Sequence, residues 1–260
     1  MKYFNARAQK LAQAVLLTAI IGGALNALNT TSTKADIQKP KSLIELFTSQ
    51  GCNSCPPANA LLKKYIARDD VIAISLPVDY WDYLGWPDTF GKAQFSKRQR
   101  HYALNRRDGQ VYTPQIVANG VTHAVGSRPN AINDAIRKSY PTISRKQIPI
   151  NLKLEGNKLT VYPVKTIPSP AHISDTKIKT TVWLALTNKK VTIPVPRGEN
   201  RGKTITYYNV VRELKSVGNW NGKPVTISLP ENHGMADKSD GCVVFLQVGN
   251  AGPIIAAAEL

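Results

Sequence analysis

SLIELFTSQGCNSCPPANALLKKYIAR, Ser42 to Arg68, holds an apolar strand, a turn with two cysteines and a helix in immediate succession. SLIELFT is almost continuously apolar, as a strand buried on both faces must be. The predicted helix covers Asn59 to Arg68, with Leu61, Leu62, Tyr65 and Ile66 on one side. VIAISLP, Val71 to Pro77, then reads as a second central strand. A helix is expected from about Gly91 to Arg107, with Ala93, Phe95, Tyr102 and Ala103 turned inward and its basic residues outward. The pair Asn119-Gly120 predicts a hairpin between two short strands, and Pro129 to Ser139 a closing helix whose inner stripe is Ala131, Ile132, Ala135 and Ile136. The order is that of an alternating α/β unit over residues 42–140.

Past Tyr140 the texture changes to short strands separated by Gly, Pro, Asn and Lys. Eight are expected: Ile148–Leu154, Lys158–Pro163, Lys179–Thr187, Val191–Val195, Thr204–Leu214, Val225–Leu229, Cys242–Val248 and Pro253–Ala258. Residues 141–260 are therefore read as an antiparallel β-rich, sandwich-like domain packed on the first.

The amino terminus sets the compartment. Lys2, Arg7 and Lys10 precede an apolar run from Leu11 to Leu28 and a small polar stretch, the three-part plan of a signal peptide over residues 1–35 with a short linker at 36–41. An uncleaved amino-terminal anchor is the alternative. The chain has 34 Lys and Arg against 17 Asp and Glu, a net charge of +17, and loss of the four basic residues in 1–35 leaves 17 − 4 = +13. Export makes nucleic acid an unexpected partner for that charge. The six basic residues Lys92, Lys97, Arg98, Arg100, Arg106 and Arg107 read as a solvated face, or as one that meets an anionic envelope surface.

In an oxidising compartment the pair Cys52 and Cys55 invites disulfide chemistry. At a helix start, unpaired N–H groups and the helix dipole stabilise a thiolate at Cys52, and Cys55 one turn further in is placed to resolve a mixed disulfide. Pro56 and Pro57 suit the first turn, where N–H groups have no helical partner to lose. The alternatives are an inert disulfide and half of a metal site. Metal is disfavoured because no second Cys pair follows and His101, His123, His172 and His233 are scattered. No metal or other cofactor is expected.

Thr113-Pro114 heads a strand, where a missing N–H is tolerated; a cis bond there turns the backbone toward the cysteines, and an ordinary trans edge proline is the alternative. Glu45, in an apolar strand, is read either as a proton acceptor for the dithiol or as the partner of a basic neighbour. Trp81 belongs to a dense aromatic loop, Val78 to Trp86, suited to an extended polypeptide or to packing between the two domains. GENRGKT, Gly198 to Thr204, has three residues between its glycines where a phosphate loop has four, and it precedes a strand, so nucleotide binding is excluded. Arg197, Glu199, Asn200 and Arg201 are expected either to reach the cysteine site or to form a solvated basic hairpin. Cys242, the odd cysteine, is expected in the core; a mixed disulfide with Cys52 is the other possibility.

The blocks ELFTSQGCNSCPPANALL, VDYWDYLGW, VYTPQIVANG and RGENRGKTITYYNVVREL resemble the secreted bacterial family catalogued as domain of unknown function 1223, assigned to the thioredoxin-like fold. The resemblance covers residues 42–260. It implies a thioredoxin-like domain at 42–140 with Cys52 and Cys55 as the dithiol and Pro114 as a cis proline, and it supplies no substrate. Gly51 before the first cysteine and Asn53-Ser54 between the two depart from the best-known thioredoxins. The function expected is that of an exported thiol-disulfide oxidoreductase acting on protein thiols or disulfides of the cell envelope. The rival is a non-enzymatic envelope binding protein with a structural disulfide.

Overall fold

The first described strand is β1 (Ser42–Thr48), in which every residue is buried, followed by α1 (Pro56–Ile66) and β2 (Val71–Pro77). The structure is a computed structural model, described here for residues 41–144, 147–164, 179–229 and 239–260. Residues 1–40, which hold the expected signal peptide and all but the last residue of the expected linker, lie outside the described residues. A short 3₁₀ turn (Asp82–Leu84) leads to α2 (Ala93–Arg106), the hairpin β3 (Gln115–Ala118) and β4 (Thr122–Val125), and α3 (Pro129–Ile143). Helix α1 starts three residues before the predicted position because Pro56 and Pro57 occupy its first turn.

Strands β1 and β2 pair in parallel from Ser42–Val71 to Thr48–Pro77, and β3 pairs antiparallel with β1. Asn119 and Gly120 adopt positive φ of 51° and 68°, the conformation of a two-residue hairpin. A Cβ at Gly120 would lie 2.4 Å from the carbonyl oxygen of Gly252, so the close approach of two backbones also requires glycine there. The buried Asn119 side chain accepts from Leu43 N and donates to the Ser42 and Ser139 hydroxyls, tying the hairpin to β1 and α3.

The second half supplies β5 (Ile150–Glu155), β6 (Lys158–Pro163), β7 (Thr180–Pro194), β8 (Thr204–Trp220), β9 (Val225–Ser228), β10 (Gly241–Val248) and β11 (Ile254–Glu259). The two strands predicted at Lys179–Thr187 and Val191–Val195 are one. The Asn-Lys-Lys segment does not turn but continues pairing with β8, next to a bulge at Leu186/Thr187.

An eight-stranded sheet runs in the order β11-β10-β7-β8-β2-β1-β3-β4, and β5-β6-β9 form a second sheet. The fold is mixed α/β with strands from both sides of Tyr140 sharing the large sheet, joined where β8 lies parallel to β2 at Ser75–Val210. The described residues belong to one unit by their contacts.

Alternation along the strands divides the core by face. Leu43 and Phe47 of β1 and Val243 and Phe245 of β10 pack with α2 residues Phe95 and Tyr102. Ile44 and Leu46 face α1 and α3, and Leu184, Val244 and Leu246 meet Leu159, Val161 and Ile227 of the small sheet. Helix α2 departs from expectation at two positions: Ala93 is exposed and Arg98 is buried. Lys97, Arg100 and Arg107 remain outside, but Lys92 donates to the carbonyl of Arg212 and Arg106 binds Asp108, so this face does not present six free cations.

Candidate functional site

Strand β1 ends at Thr48, and the chain turns through Ser49, Gln50 and Gly51 to reach Cys52 at the head of α1. The Ser49 hydroxyl accepts from Gly51 N at 3.0 Å, and Cys52 N donates to Ser49 O at 3.3 Å. Cys52 and Cys55 form a disulfide with their Cα atoms 5.4 Å apart. Cys55 O then accepts from the N–H groups of Ala58 and Asn59, opening the helix. Cys52 is 2% exposed and Cys55 0%, so the first cysteine is far more covered than a turn position suggests.

Three segments enclose it. The aromatic loop brings Trp81 against Gly51: a Cβ on Gly51 would meet Trp81 Cβ at 3.0 Å and its carbonyl oxygen at 3.2 Å. A side chain before Cys52 is thus crowded out by the Cβ and main-chain carbonyl of Trp81, supplied from another part of the chain. Trp81 Nε1 donates to Thr113 Oγ1 at 2.8 Å, and the Thr113–Pro114 bond is cis. Pro114 is buried beside the first turn of α1, since a Cβ at Gly126 would touch both Pro114 Cβ at 3.2 Å and Ala58 Cβ at 3.3 Å. The third segment is the loop between β7 and β8, where Asn200, 0% exposed, donates to Gln50 O at 2.8 Å and Cys52 O at 2.9 Å. Its own Oδ1 accepts from Lys203 Nζ at 3.0 Å.

The structure therefore brings Cys52, Cys55, Thr113, Pro114, Trp81 and Asn200 together. Arg197, Glu199 and Arg201 stand exposed on the loop that Asn200 anchors. Glu45 is fully buried, but its oxygens are engaged elsewhere: Arg98 Nε donates to Oε1 at 2.6 Å, and Arg98 Nη2 and the Tyr102 hydroxyl donate to Oε2. Arg98 Nη1 also donates to Gln247 Oε1 at 3.0 Å, so the carboxylate ties β1 to α2 and β10. Burial pushes the Tyr102 phenol well above its ordinary range, against the pull of Arg98. Cys242 is free, buried among the residues that face the small sheet, and its thiol is pushed up to about 12 by that burial.

Asp88 is the important residue that sequence reasoning missed. Its Oδ2 accepts from Gln50 N at 2.7 Å and from the Tyr207 hydroxyl at 2.8 Å, and Oδ1 accepts from Phe90 N at 2.8 Å. Burial raises its pKa, while the two backbone N–H groups pull the other way. Gln50 is further held by Trp86 Nε1 and Thr89 Oγ1, so the turn before Cys52 is clamped on both its main chain and its side chain. An acid beside Trp86-Pro87, in a loop already dense with aromatic rings, was the available signal.

The segment that presents Thr113 has its own supports. Gln99 Nε2 donates to Tyr112 O at 2.7 Å, the Tyr112 hydroxyl lies 2.8 Å from His123 Nδ1, and His123 Nε2 lies 3.3 Å from Asp108 Oδ2. Burial and the nearby Arg106 lower the His123 pKa, against Asp108. Among the described residues no three His, Cys, Asp or Glu side chains are grouped to hold a metal ion, and no helix is long and apolar enough to cross a membrane. His172 and His233 lie outside the described residues.

Solved structures supply two useful likenesses. Protein AGR_C_4864 from Agrobacterium tumefaciens, known from its crystal structure, is 32% identical, with 86% of this chain and 95% of that one covered at a TM-score of 0.69. HBP35 of Porphyromonas gingivalis aligns over 85% of this chain and 75% of its own at a TM-score of 0.56 and 14% identity, a likeness of fold alone. No curated protein matches the chain. The model of the family described as protein of unknown function, DUF1223, matches residues 43–247, and the chain belongs to that family.

Proposed function

We propose that this protein is an exported thiol-disulfide oxidoreductase built on a thioredoxin-like unit. The observation that carries the reading is the Cys52–Cys55 pair between a central strand and a helix start, with Pro114 packed beside the first helical turn. Strands β2-β1-β3-β4, with α1 and α3 on one face and α2 on the other, suit such a unit, and β7, β8, β10 and β11 extend its sheet.

Cys52 is the sulfur that exchanges and Cys55, enclosed by α1, is the resolving sulfur. When the pair is reduced, the positive end of the α1 dipole favours a Cys52 thiolate, the Ser54 hydroxyl lies 3.4 Å from Cys52 Sγ, and no acid in the first turn opposes it. Pro114, Thr113 and Trp81 border the groove in which a client chain lies, and the β7–β8 loop orients it. The clients are protein thiols or disulfides of the cell envelope.

A second reading, a binding protein with a structural disulfide, is favoured by the near-complete cover of Cys52 under Asn200. Equilibration in glutathione buffers separates the two. A reversible two-electron couple, with turnover of a mixed-disulfide substrate that Cys52→Ser abolishes, supports the oxidoreductase. A pair that stays oxidised across the accessible range, with turnover indifferent to Cys52→Ser, overturns it.

A further inference from the structure

The loop that covers the disulfide carries a net positive charge. Asn200 is buried against Cys52, yet Arg197, Glu199, Arg201 and Lys203 around it are exposed. Three cations and one acid give 3 − 1 = +2 over seven residues. Among the described residues none of the three cations forms an ion pair, Lys203 being bound only to the neutral Oδ1 of Asn200.

The loop is anchored within a hydrogen bond of the Cys52 main chain. Asn200 Nδ2 lies 2.9 Å from Cys52 O, and successive Cα atoms are about 3.8 Å apart, so side chains one and three residues away reach the approach to Cys52. The loop also lies against the aromatic segment, where a Cβ at Gly198 would meet Trp86 Cβ at 3.3 Å. The acids of that segment, Asp79, Asp82 and Asp88, present no fully exposed carboxylate beside it, Asp79 being half-buried and accepting from Ser96 Oγ. Asp88 is buried with its oxygens bound to Gln50, Phe90 and Tyr207, and Asp82 accepts from Asp88 N. On the other side of the disulfide, Asn53, Ser54 and Pro57 are exposed and uncharged.

We infer that this rim selects clients carrying acidic residues beside the reacting cysteine, with Arg197, Arg201 and Lys203 as the residues that set the preference. The inference rests on the oxidoreductase reading and names its substrate class. With the disulfide form as oxidant, a client thiolate attacks Cys52 Sγ, the Cys52–Cys55 bond breaks, and Cys55 leaves as a thiolate that takes up a proton. The client's second thiolate attacks its own sulfur in the mixed disulfide and releases Cys52. Two electrons and two protons pass from the client dithiol to the protein. In the first step a negative client meets positive side chains as it approaches, so the rim acts on the encounter and on the mixed disulfide.

The test uses the whole protein and two dithiol peptides alike except for Asp or Lys flanking their cysteines. Oxidation by the disulfide form is followed at low and high salt, beside binding of the same peptides with Ser in place of Cys. At low salt the Asp peptide reacts about 10-fold faster, and at about 0.5 M salt the difference falls to about 2-fold, as screening shortens the reach of the charges. Arg197→Glu with Arg201→Glu reverses the preference. Lys158→Glu with Lys223→Glu, which makes the same change in net charge at exposed positions of the small sheet and its entry turn, leaves it unchanged. Exchange without preference, or a control pair that shifts the ratio as far as the loop pair, overturns the rim while leaving the oxidoreductase standing. Preferential binding of the Ser peptides without exchange of the Cys peptides overturns the oxidoreductase and leaves only an acid-selective surface. Neither exchange nor preference overturns both.

Discussion

The side-chain amide of Asn200 lies 2.9 Å from the carbonyl oxygen of Cys52, joining the β7–β8 loop to the cysteine turn across 148 residues of chain. The same nitrogen reaches the carbonyl of Gln50, so one buried side chain satisfies two acceptors that would otherwise be shut away from water. Asn200→Ala removes both donors, with an expected loss of about 1–3 kcal/mol in urea denaturation. It also uncovers Cys52, so reduction of the disulfide by a water-soluble phosphine is expected to accelerate. An unchanged reduction rate would show that the loop does not govern access.

Glu45 and Arg98 form an ion pair with side chains 0% and 5% exposed. A charge removed from such a pair leaves its partner buried and uncompensated. Glu45→Gln is therefore expected to destabilise the fold by about 3–5 kcal/mol, and the double variant Glu45→Gln, Arg98→Met to recover part of that loss. Denaturant midpoints of the two single variants and the double variant measure it. If Glu45→Gln instead changes exchange rates at unaltered stability, Glu45 serves the dithiol directly.

Cys242 is expected to be silent toward thiol reagents in the native protein. A thiol pushed up to about 12 holds almost no thiolate at neutral pH, and it is buried. Labelling after reduction in denaturant should count three thiols, of which Cys242 is absent under native conditions. Cys242→Ala is expected to cost about 1–2 kcal/mol, and Cys242→Ser more, because its hydroxyl has to find a partner inside an apolar cluster.

The His123 pKa lies below its ordinary 6.5 in the folded protein. Below 6.5 the unfolded chain therefore binds more protons at this residue, and its contribution to stability falls as pH drops from 6.5 through the folded value. Above 6.5 the contribution is fully present. His123→Gln should flatten this part of the stability-against-pH curve between about pH 7.5 and about pH 5, measured by urea midpoints. It should also loosen Tyr112, and with it the segment that presents Thr113 to Trp81.

Much of the site was legible because it is local. The apolar run of β1, the two prolines after Cys55 and the Asn119-Gly120 turn each carry their conformation in adjacent residues, and β1, β2 and the hairpin lie where they were expected. Asn200 is one of four loop residues expected either to reach the cysteine site or to form a solvated hairpin, and the contact across the chain that decides between the two is stated by no local pattern. Arg98 is expected on the solvated face together with the other basic residues of its helix; only the buried carboxylate opposite explains its inward turn. The joining of the two halves into one sheet rests on the parallel contact of β8 with β2, and strand propensity does not specify a partner. Asp88 is not legible because an acid next to proline in a loop looks solvated, whereas here it fastens the turn before Cys52.

The proposed function stands or falls with exchange between the Cys52–Cys55 pair and client cysteines. Trapping with Cys55→Ser in an envelope extract tests it most directly, because removal of the resolving sulfur strands any mixed disulfide on Cys52. Discrete higher-mass adducts of the Cys55→Ser protein are expected, which reductant dissolves and which are absent when Cys52 is also replaced by Ser. No adducts from Cys55→Ser, with its Cys52 thiol shown to be free and reduced at the start, would contradict it.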